Sequence, residues 1–205
     1  MIEIEQETLN QGFDFVIGVD EAGRGPLAGP VTAAAVLLKT QIFQNKIDDS
    51  KKLTSAQRLK AFEEIYDNAY VGVGIMNEEI IDRNNILEAT YLAMNNAIRD
   101  LVARLPESLE DNFSSRVCLL IDGNRFKSDL PYAYKAIVGG DARVTSIACA
   151  SIVAKVTRDR ILDTYDKIYP EYGFRQHKGY PTLAHKQAIA RHGLSLIHRK
   201  TFRYV

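Results

Sequence analysis

Four acidic residues follow three apolar segments of the sequence, and glycine lies close to each of them. They are Asp20 and Glu21 after Phe15–Val19, Asp122 after Val117–Ile121, and Asp141 after Tyr134–Val138. Short apolar segments that end at turn residues are typical of buried strands. If these strands lie in one parallel or mixed sheet, their ends bring the four carboxylates to one edge.

Carboxylates gathered in this way repel one another unless cations lie among them. Ligand sets made only of oxygen select hard ions such as Mg²⁺ or Mn²⁺. Two such ions about 4 Å apart can activate water on one side of a phosphodiester and stabilise the leaving oxygen on the other. Each acid taken alone is also compatible with a solvated strand end, so the argument depends on the three positions together.

The first acidic pair is followed by Gly23, Arg24 and Gly25. Glycine allows a ligand to approach the backbone closely, and the planar guanidinium group of arginine matches a phosphate. The alternative is an acidic turn that Arg24 stabilises.

Other chemistries fit the sequence less well. It contains no nucleotide-binding P-loop, no complete dinucleotide fingerprint and no G-x-S-x-G nucleophile motif. Ser151 and Lys155 lie four residues apart, which favours packing or phosphate contacts over a nucleophile and its base. His177 and His185 are eight residues apart with no cysteine nearby, so a zinc site is weakly supported.

The formal net charge of zero hides an uneven distribution. Residues 1–142 carry 14 Lys and Arg against 22 Asp and Glu, whereas residues 143–205 carry 12 against 4. The basic part contains all four histidines. This distribution favours an anionic partner bound by residues 143–205, although two parts of one domain that neutralise each other would look the same.

Length and composition predict one globular domain over residues 1–205, monomeric by default, with a helical, basic, substrate-binding part at 143–205. No apolar segment is long enough to cross a membrane, and the acidic start at residues 1–5 does not resemble a signal peptide. We therefore expect a cytoplasmic protein with no membrane contact. Cys118 and Cys149 lie in apolar segments and are expected to be buried and reduced.

The periodicity predicts an α/β fold with a central mixed five-stranded sheet flanked by helices. The two further strands are Val31–Leu38 and Val71–Ile75. A helix capped by Thr54 is expected to bury Leu59, Phe62, Ile65, Tyr66 and Ala69. Further helical regions are predicted after Asn77, at Asn85–Leu105, at Val144–Tyr169 and between Thr182 and His192, with a polar loop at Pro106–Ser115.

Several long motifs, in one order, resemble the bacterial ribonuclease HII family. They are Val19–Val31, Asp49–Leu53, Ile121–Asn124, Gly140-Asp141, Ser146–Asp159 and His177–Tyr180, and the resemblance extends from about residue 14 to His198-Arg199. It implies a ribonuclease H-like fold and an endonuclease that cleaves RNA in RNA–DNA hybrids. It also implies nicking on the 5′ side of a single ribonucleotide in duplex DNA, a step of ribonucleotide excision repair, leaving 5′-phosphate and 3′-hydroxyl ends.

The resemblance also implies roles for individual residues. Its four metal ligands correspond to Asp20, Glu21, Asp122 and Asp141, which would hold two Mg²⁺ or Mn²⁺ ions with Asp20 between them. Its ribose-reading element corresponds to Gly23, Arg24 and Gly25, and its stacking tyrosine to Tyr180, here followed by proline. Lys51 and Lys52 are expected to contact phosphates. The alternative is a non-catalytic module that binds hybrids, which four clustered carboxylates beside phosphate argue against.

Overall fold

The computed structural model describes residues 3–109 and 113–204, and its central element is a mixed five-stranded sheet in the order β3-β2-β1-β4-β5. The strands are β1 (Phe15–Ala22), β2 (Val31–Leu38), β3 (Ala69–Met76), β4 (Val117–Asp122) and β5 (Ala133–Ile137). The central strand β1 pairs antiparallel with β2 and parallel with β4, and β4 pairs parallel with β5. The predicted sheet is therefore confirmed.

Eight α-helices in the described residues accompany the sheet. They are α1 (Glu3–Asn10), α2 (Ser55–Asn68), α3 (Glu78–Asn84), α4 (Ile86–Val102), α5 (Phe113–Arg116), α6 (Thr145–Ile168), α7 (Phe174–His177) and α8 (Leu183–His192). The predicted capping box at Thr54 and the predicted cap at Asn77 are both present. None of the helices in the described parts of the chain is long and apolar enough to span a membrane.

Side chains that alternate along β1 pack against different layers. Ile17 and Val19 face α4, in a core cluster that includes Ala93 and Ala97. The opposite face of the sheet is covered by α6 and α2. A Cβ atom on Gly18 would lie 2.2 Å from the Ser146 carbonyl carbon, so glycine at this position lets the beginning of α6 lie directly on β1.

The C-terminal residues form a smaller cluster around Phe174, Tyr172 and Leu162. Ala28, in the loop that joins β1 to β2, is part of this cluster and forms an isolated antiparallel bridge with His198. The loop after the first acidic pair is thus attached to the C-terminal part of the chain.

The structure refines or adds to the local predictions in four places. Helix α2 buries Ala61 and Ile65, whereas Leu59 and Tyr66 are exposed, and Ala69 already belongs to β3. Asn85 adopts φ 71° and separates α3 from α4. Helix α1 was not predicted. Within the predicted loop Pro106–Ser115, residues 107–109 form a 3₁₀ turn and α5 begins at Phe113, while residues 110–112 lie outside the described residues.

The two cysteines are free and buried, as predicted. Burial raises the pKa of both thiols. They are therefore structural parts of the core.

Candidate active site

The end of β1 presents its two acids to opposite sides of the sheet. Asp20 follows Gly18 on the face covered by α6, and its side chain accepts a 2.7 Å hydrogen bond from the Glu21 amide. Glu21 points to the other side, where it lines a cavity of about 250 Å³ with Tyr91 and Met94 of α4. Asp20 is buried at 4% exposure. Because successive side chains of a strand point to opposite faces, Asp20 is buried whereas Glu21 lies beside an open cavity.

The parallel neighbour of β1 brings the third acid to the same edge. Val19 is paired with Ile121, so Asp122 at the end of β4 lies beside the end of β1. Asp122 accepts a 2.7 Å hydrogen bond from the Gly140 amide, in the 3₁₀ turn Gly140–Ala142 that follows β5. That turn carries Asp141, which is buried. All four predicted acids thus lie at one edge of the sheet.

Electrostatic repulsion links the four carboxylates. Burial, followed by the charges of Glu21 and Asp122, holds the pKa of Asp20 well above its usual range. Burial and the Asp122 charge also raise the pKa of Asp141. The pKa of Glu21 is raised by burial and by Asp122, while Arg24 opposes the rise. The Asp122 charge contributes to the raised pKa of each of the other three acids.

Two cationic side chains partly neutralise the acids. Arg24 lies 3.2 Å from a Glu21 carboxylate oxygen, and the Lys51 ammonium lies 3.7 Å from Asp141. The Lys51 side chain is 80% exposed, so this contact is on the solvent side of the cluster. Lys52 instead lies 3.5 Å from Asp48. Of the two lysines predicted to contact phosphate, only Lys51 pairs with one of the four acids.

A second cavity, of about 190 Å³, opens beside the acids. It is lined by Glu21, Ala22, Gly23, Arg24, Gly25, Ser50, Lys51, Ser151, Lys155, Arg158 and Tyr180. Tyr180 is 43% exposed, and its ring carbon Cε1 would lie 3.7 Å from a Cβ atom on Gly25. The structure thus brings the Gly23–Gly25 segment and Tyr180 together as two walls of one cavity.

The two serines behind Asp20 form a hydrogen-bonded pair. The Ser50 and Ser151 hydroxyl groups are 2.9 Å apart, and Ser151 also hydrogen-bonds the Asp20 carboxylate, which lowers the pKa of Asp20. Lys155 donates to Asp159 at 2.7 Å. The prediction that Ser151 and Lys155 are packing or phosphate contacts, and not a nucleophile with its base, agrees with these separate partners.

Two buried arginines that the sequence analysis did not assign hold the loop after β1. Arg158 donates to the carbonyl oxygens of Pro30, Ala28 and Lys178 at 2.9 to 3.0 Å. Arg199 donates to the carbonyl oxygens of Gly23, Arg24, Gly29 and Pro30 at 2.6 to 3.2 Å. In the sequence, Arg158 is marked only by its place in the family-like motif Ser146–Asp159, and Arg199 only by its place at the C-terminal end of the resemblance. Their guanidinium groups fix the loop backbone from behind, which leaves its other side to the cavity.

The donor set at the sheet edge consists of carboxylate oxygens alone, the chemistry that suits Mg²⁺ or Mn²⁺. Within residues 3–109 and 113–204, no three His, Cys, Asp or Glu side chains are already close enough together to form a complete metal site. In this arrangement Arg24 and Lys51 pair with two of the acids. The residues therefore fit a divalent cation, provided that these two ion pairs open.

The arrangement of sheet and helices matches solved ribonucleases H and defines a ribonuclease H-like fold. Ribonuclease H2 of Pyrococcus horikoshii OT3 aligns with a TM-score of 0.68 at 26% identity, over 93% of this chain and 94% of that one. Bst ribonuclease HIII in complex with Mn²⁺ aligns with a TM-score of 0.68 at 16% identity, over 95% of this chain and 69% of that one.

Sequence comparison defines the family more closely. The family model for ribonuclease HII matches residues 17–205. Ribonuclease HII of Chlorobaculum parvum is 49% identical over an alignment 209 positions long, which covers 99% of this chain and 97% of the relative. The chain belongs to the ribonuclease HII family. It is therefore a nuclease of the ribonuclease H type, whose family activity is hydrolysis of RNA in RNA–DNA hybrids.

Proposed function

We propose that this ribonuclease nicks RNA–DNA hybrids and also duplex DNA that contains a single ribonucleotide, on the 5′ side of that ribonucleotide. The observation that supports this proposal is the cavity that Glu21, one of the four acids, shares with the Gly23–Gly25 segment and with Tyr180. A phosphodiester at the acids would have its neighbouring ribose in this cavity. The 2′-hydroxyl is the group that distinguishes RNA from DNA there.

Asp20, Glu21, Asp122 and Asp141 would hold two divalent cations, Mg²⁺ or Mn²⁺. The support is the oxygen-only donor set, together with the burial and, to a smaller extent, the mutual repulsion that raise the pKa values of Asp20, Glu21 and Asp141. Bst ribonuclease HIII, which has a related fold, has been solved in complex with Mn²⁺. When bound, such ions supply an activated water and stabilise the charge on the leaving oxygen.

The protein's own groups orient the reaction. Asp20 is held by the Glu21 amide and by Ser151, and Asp122 is held by the Gly140 amide, so neither carboxylate has to be ordered during the reaction. Water oxygen then bonds to phosphorus while the bond to the 3′ oxygen breaks. The attacking water gives up one proton, and the released 3′ oxygen takes up one. The products are a 5′-phosphate on the ribonucleotide and a 3′-hydroxyl on the preceding nucleotide.

Recognition of the ribose is assigned to the two walls of the cavity. Gly25 has no side chain to fill the space opposite the Tyr180 ring. The exposed ring of Tyr180 offers a flat surface for a sugar or base. Arg24 and Lys51, released from their carboxylate partners when cations bind, would contact the phosphates on either side. Lys52 would contribute a more distant phosphate contact. The protein would act as a monomer.

The proposal is tested with a 5′-labelled DNA duplex that carries one ribonucleotide, incubated with Mg²⁺, Mn²⁺ or a chelator. We expect one nick on the 5′ side of the ribonucleotide with either metal ion and none with the chelator. An all-DNA duplex of the same sequence is the control and should remain intact. Absence of a nick with every metal ion would overturn the proposal. Cleavage of a long hybrid but not of the single ribonucleotide would overturn its finer part.

A further inference from the structure

Two fully buried histidines connect the backbone of Tyr180 to the C-terminal segment. His185, in α8, has its Nδ1 atom 2.9 Å from the Tyr180 carbonyl oxygen. Its Nε2 atom lies 3.1 Å from Nε2 of His198. On the other side of His198, Nδ1 is 2.9 Å from the Ser195 amide and 2.7 Å from the Ser195 hydroxyl. The four residues form a continuous hydrogen-bonded chain.

The partners at the two ends determine where the protons lie. A carbonyl oxygen only accepts, so His185 donates through Nδ1 and its Nε2 carries a lone pair. A backbone amide only donates, so His198 accepts at Nδ1 and carries its proton on Nε2. The Nε2 proton of His198 therefore points at the lone pair of His185. Every hydrogen bond of the chain runs towards Tyr180, and both rings are neutral.

A third histidine packs this chain against the turn that precedes Tyr180. The His177 ring stacks on His185 with centroids 4.3 Å apart, and the Gly179 amide donates to its Nδ1 atom at 3.2 Å. The Tyr180 amide donates to the His177 carbonyl oxygen at 2.9 Å. The Tyr180 carbonyl oxygen is thus held by the buried His185 ring and the Tyr180 amide by the His177 backbone, although the Tyr180 side chain is exposed.

His198 is followed in the chain by Arg199, which holds the opposite wall of the cavity. Arg199 donates to the Gly23 carbonyl oxygen at 2.6 Å and to that of Arg24 at 2.9 Å. Two consecutive buried residues therefore control both walls: Arg199 directly fixes the loop that contains Gly23, and His198, through His185, fixes Tyr180. Both walls of the cavity are thus attached to this C-terminal segment.

We infer that His185 and His198 are positioning residues, which set the distance of the Tyr180 ring from Gly25 and so control how the ribose fits. This inference rests on the proposed function, because the two histidines would affect ribose recognition only through Tyr180. Neither histidine would touch the substrate itself, since both rings are fully buried.

A double-mutant cycle between His185→Phe and Tyr180→Ala tests the inference. Phenylalanine keeps a flat ring next to His177 but removes the hydrogen bond to the Tyr180 carbonyl oxygen. We expect His185→Phe to lower kcat/KM for the single-ribonucleotide duplex by about tenfold, on the order of one lost hydrogen bond to a neutral group. In the Tyr180→Ala background the same substitution should change kcat/KM by less than about twofold, because the group that it positions is absent.

The outcomes are distinguishable. An equal loss in both backgrounds would overturn the inference, because the histidine would then act on the fold and not through Tyr180. If Tyr180→Ala alone left cleavage unchanged, the inference would also fall, and the failure would lie in the recognition role that the proposed function gives to Tyr180.

A milder variant covers the case in which His185→Phe does not fold. Ser195→Ala removes one donor to His198 and keeps the backbone amide that defines the direction of the chain. Its smaller loss of kcat/KM should likewise disappear in the Tyr180→Ala background, and persistence of the loss there would contradict the inference. His192→Phe, at an exposed position of the same helix α8, is the matched control and should cleave like the unmodified protein.

Discussion

At the scale of single residues, Asp122 has a special place among the four acids. Its charge acts on Asp20, Glu21 and Asp141, and its own carboxylate accepts a hydrogen bond from the Gly140 amide. The side chain thus joins the end of β4 to the turn that carries Asp141. Its charge and its hydrogen-bonding capacity can be separated, because asparagine keeps the accepting oxygen and loses the charge.

Asp122→Asn should therefore abolish cleavage and preserve binding. The amide oxygen can still accept from Gly140, so the turn keeps its position, whereas one charge of the proposed metal site is lost. Since bound metal ions contribute several kcal/mol to transition-state stabilisation, we expect kcat/KM to fall at least about 100-fold. Fluorescence anisotropy with a labelled hybrid should show affinity within about threefold. Asp129→Asn, an exposed acid paired with Arg99, is the control. Equal loss of binding and cleavage would make Asp122 a structural residue.

Gly23 and Gly25 should respond differently to alanine. Gly23 has φ +100°, and a Cβ atom there would lie 2.1 Å from Arg158 Nε and 2.8 Å from the Pro30 oxygen, so Gly23→Ala should cost about 1–3 kcal/mol of stability. Gly25 has room for a methyl group, with Tyr180 at 3.7 Å. Gly25→Ala should leave the melting temperature unchanged and lower kcat/KM on the single-ribonucleotide duplex. Unchanged kinetics for Gly25→Ala would remove its role as a wall for the ribose.

At the scale of elements, the sequence predicted the strands well because each one is a short apolar segment bounded by polar or turn residues. Strand β2 has the predicted bounds, and its burial on both faces follows from its run of small residues. Helix α1 escaped prediction because its position depends on a distant contact: the buried Glu5 carboxylate accepts from the Ser146 amide at the beginning of α6. No local pattern in a polar eight-residue segment indicates such a partner.

The candidate acids were predictable for the same reason as the strands, whereas their supporting residues were not. Asp20, Asp122 and Asp141 stand out because each ends or follows an apolar segment beside glycine. Arg158 lies within a long helix and is indistinguishable in sequence from a solvated surface arginine. Its role depends on the carbonyl groups of a loop 128 residues earlier in the chain, at Pro30.

Helix α6 and β1 share a contact that determines the position of Asp20, which gives an element-scale prediction. In Gly18→Ala the methyl group would collide with the backbone of Ser146 and Ile147, at 2.2 and 2.3 Å, and would push α6 off the sheet. Overpacking of this kind costs about 1–3 kcal/mol. It should also lower activity in the folded protein, because Ser151 of α6 moves away from Asp20.

Gly72→Ala is the matched control for this prediction. It overpacks the edge strand β3 against α4, with a Cβ atom 2.1 Å from the Ala97 oxygen, and β2 separates β3 from β1, the strand that carries Asp20 and Glu21. Urea denaturation should show losses of stability for both variants, whereas kcat/KM measured well below the unfolding range should fall only for Gly18→Ala. The same activity per folded molecule in both variants would contradict the proposed link between α6 and Asp20.

At the scale of the whole molecule, the basic excess of residues 143–205 overstates the charge available for nucleic acid. Arg158 and Arg199 are buried and donate to backbone carbonyl groups. Lys155 pairs with Asp159 and Lys178 pairs with Asp163. The prediction of an anionic partner therefore depends on the remaining exposed cations. Part of the uneven charge distribution serves the fold instead.

Two buried titratable residues, His198 and Asp20, have opposite effects on the stability of the fold as the pH changes. Burial and the neighbouring His185 lower the pKa of His198 to about 4, against about 6.5 in the unfolded chain. The contribution of neutral His198 to the free energy of unfolding is therefore fully present above about pH 6.5 and is lost as the pH falls towards 4. The raised pKa of Asp20 works in the other direction, because the folded chain holds that proton to a higher pH than the unfolded chain does. Between about pH 4 and 6.5 the two contributions oppose each other.

Asp20→Asn should therefore change the pH dependence of stability as well as abolish cleavage. With the buried carboxylate removed, the variant should be more stable than the unmodified protein at pH 7.5 in a chelator, by about 1–3 kcal/mol, the usual cost of an uncompensated buried polar or charged group. Its advantage should shrink as the pH falls, because protonation relieves the same repulsion in the unmodified chain. Its stability should then decline more steeply with acid, since the effect of His198 is no longer opposed. Urea denaturation from pH 4.5 to 7.5 measures both curves. Parallel curves would show that Asp20 is ionised in the folded protein throughout this range, and its proton would then contribute nothing to the balance.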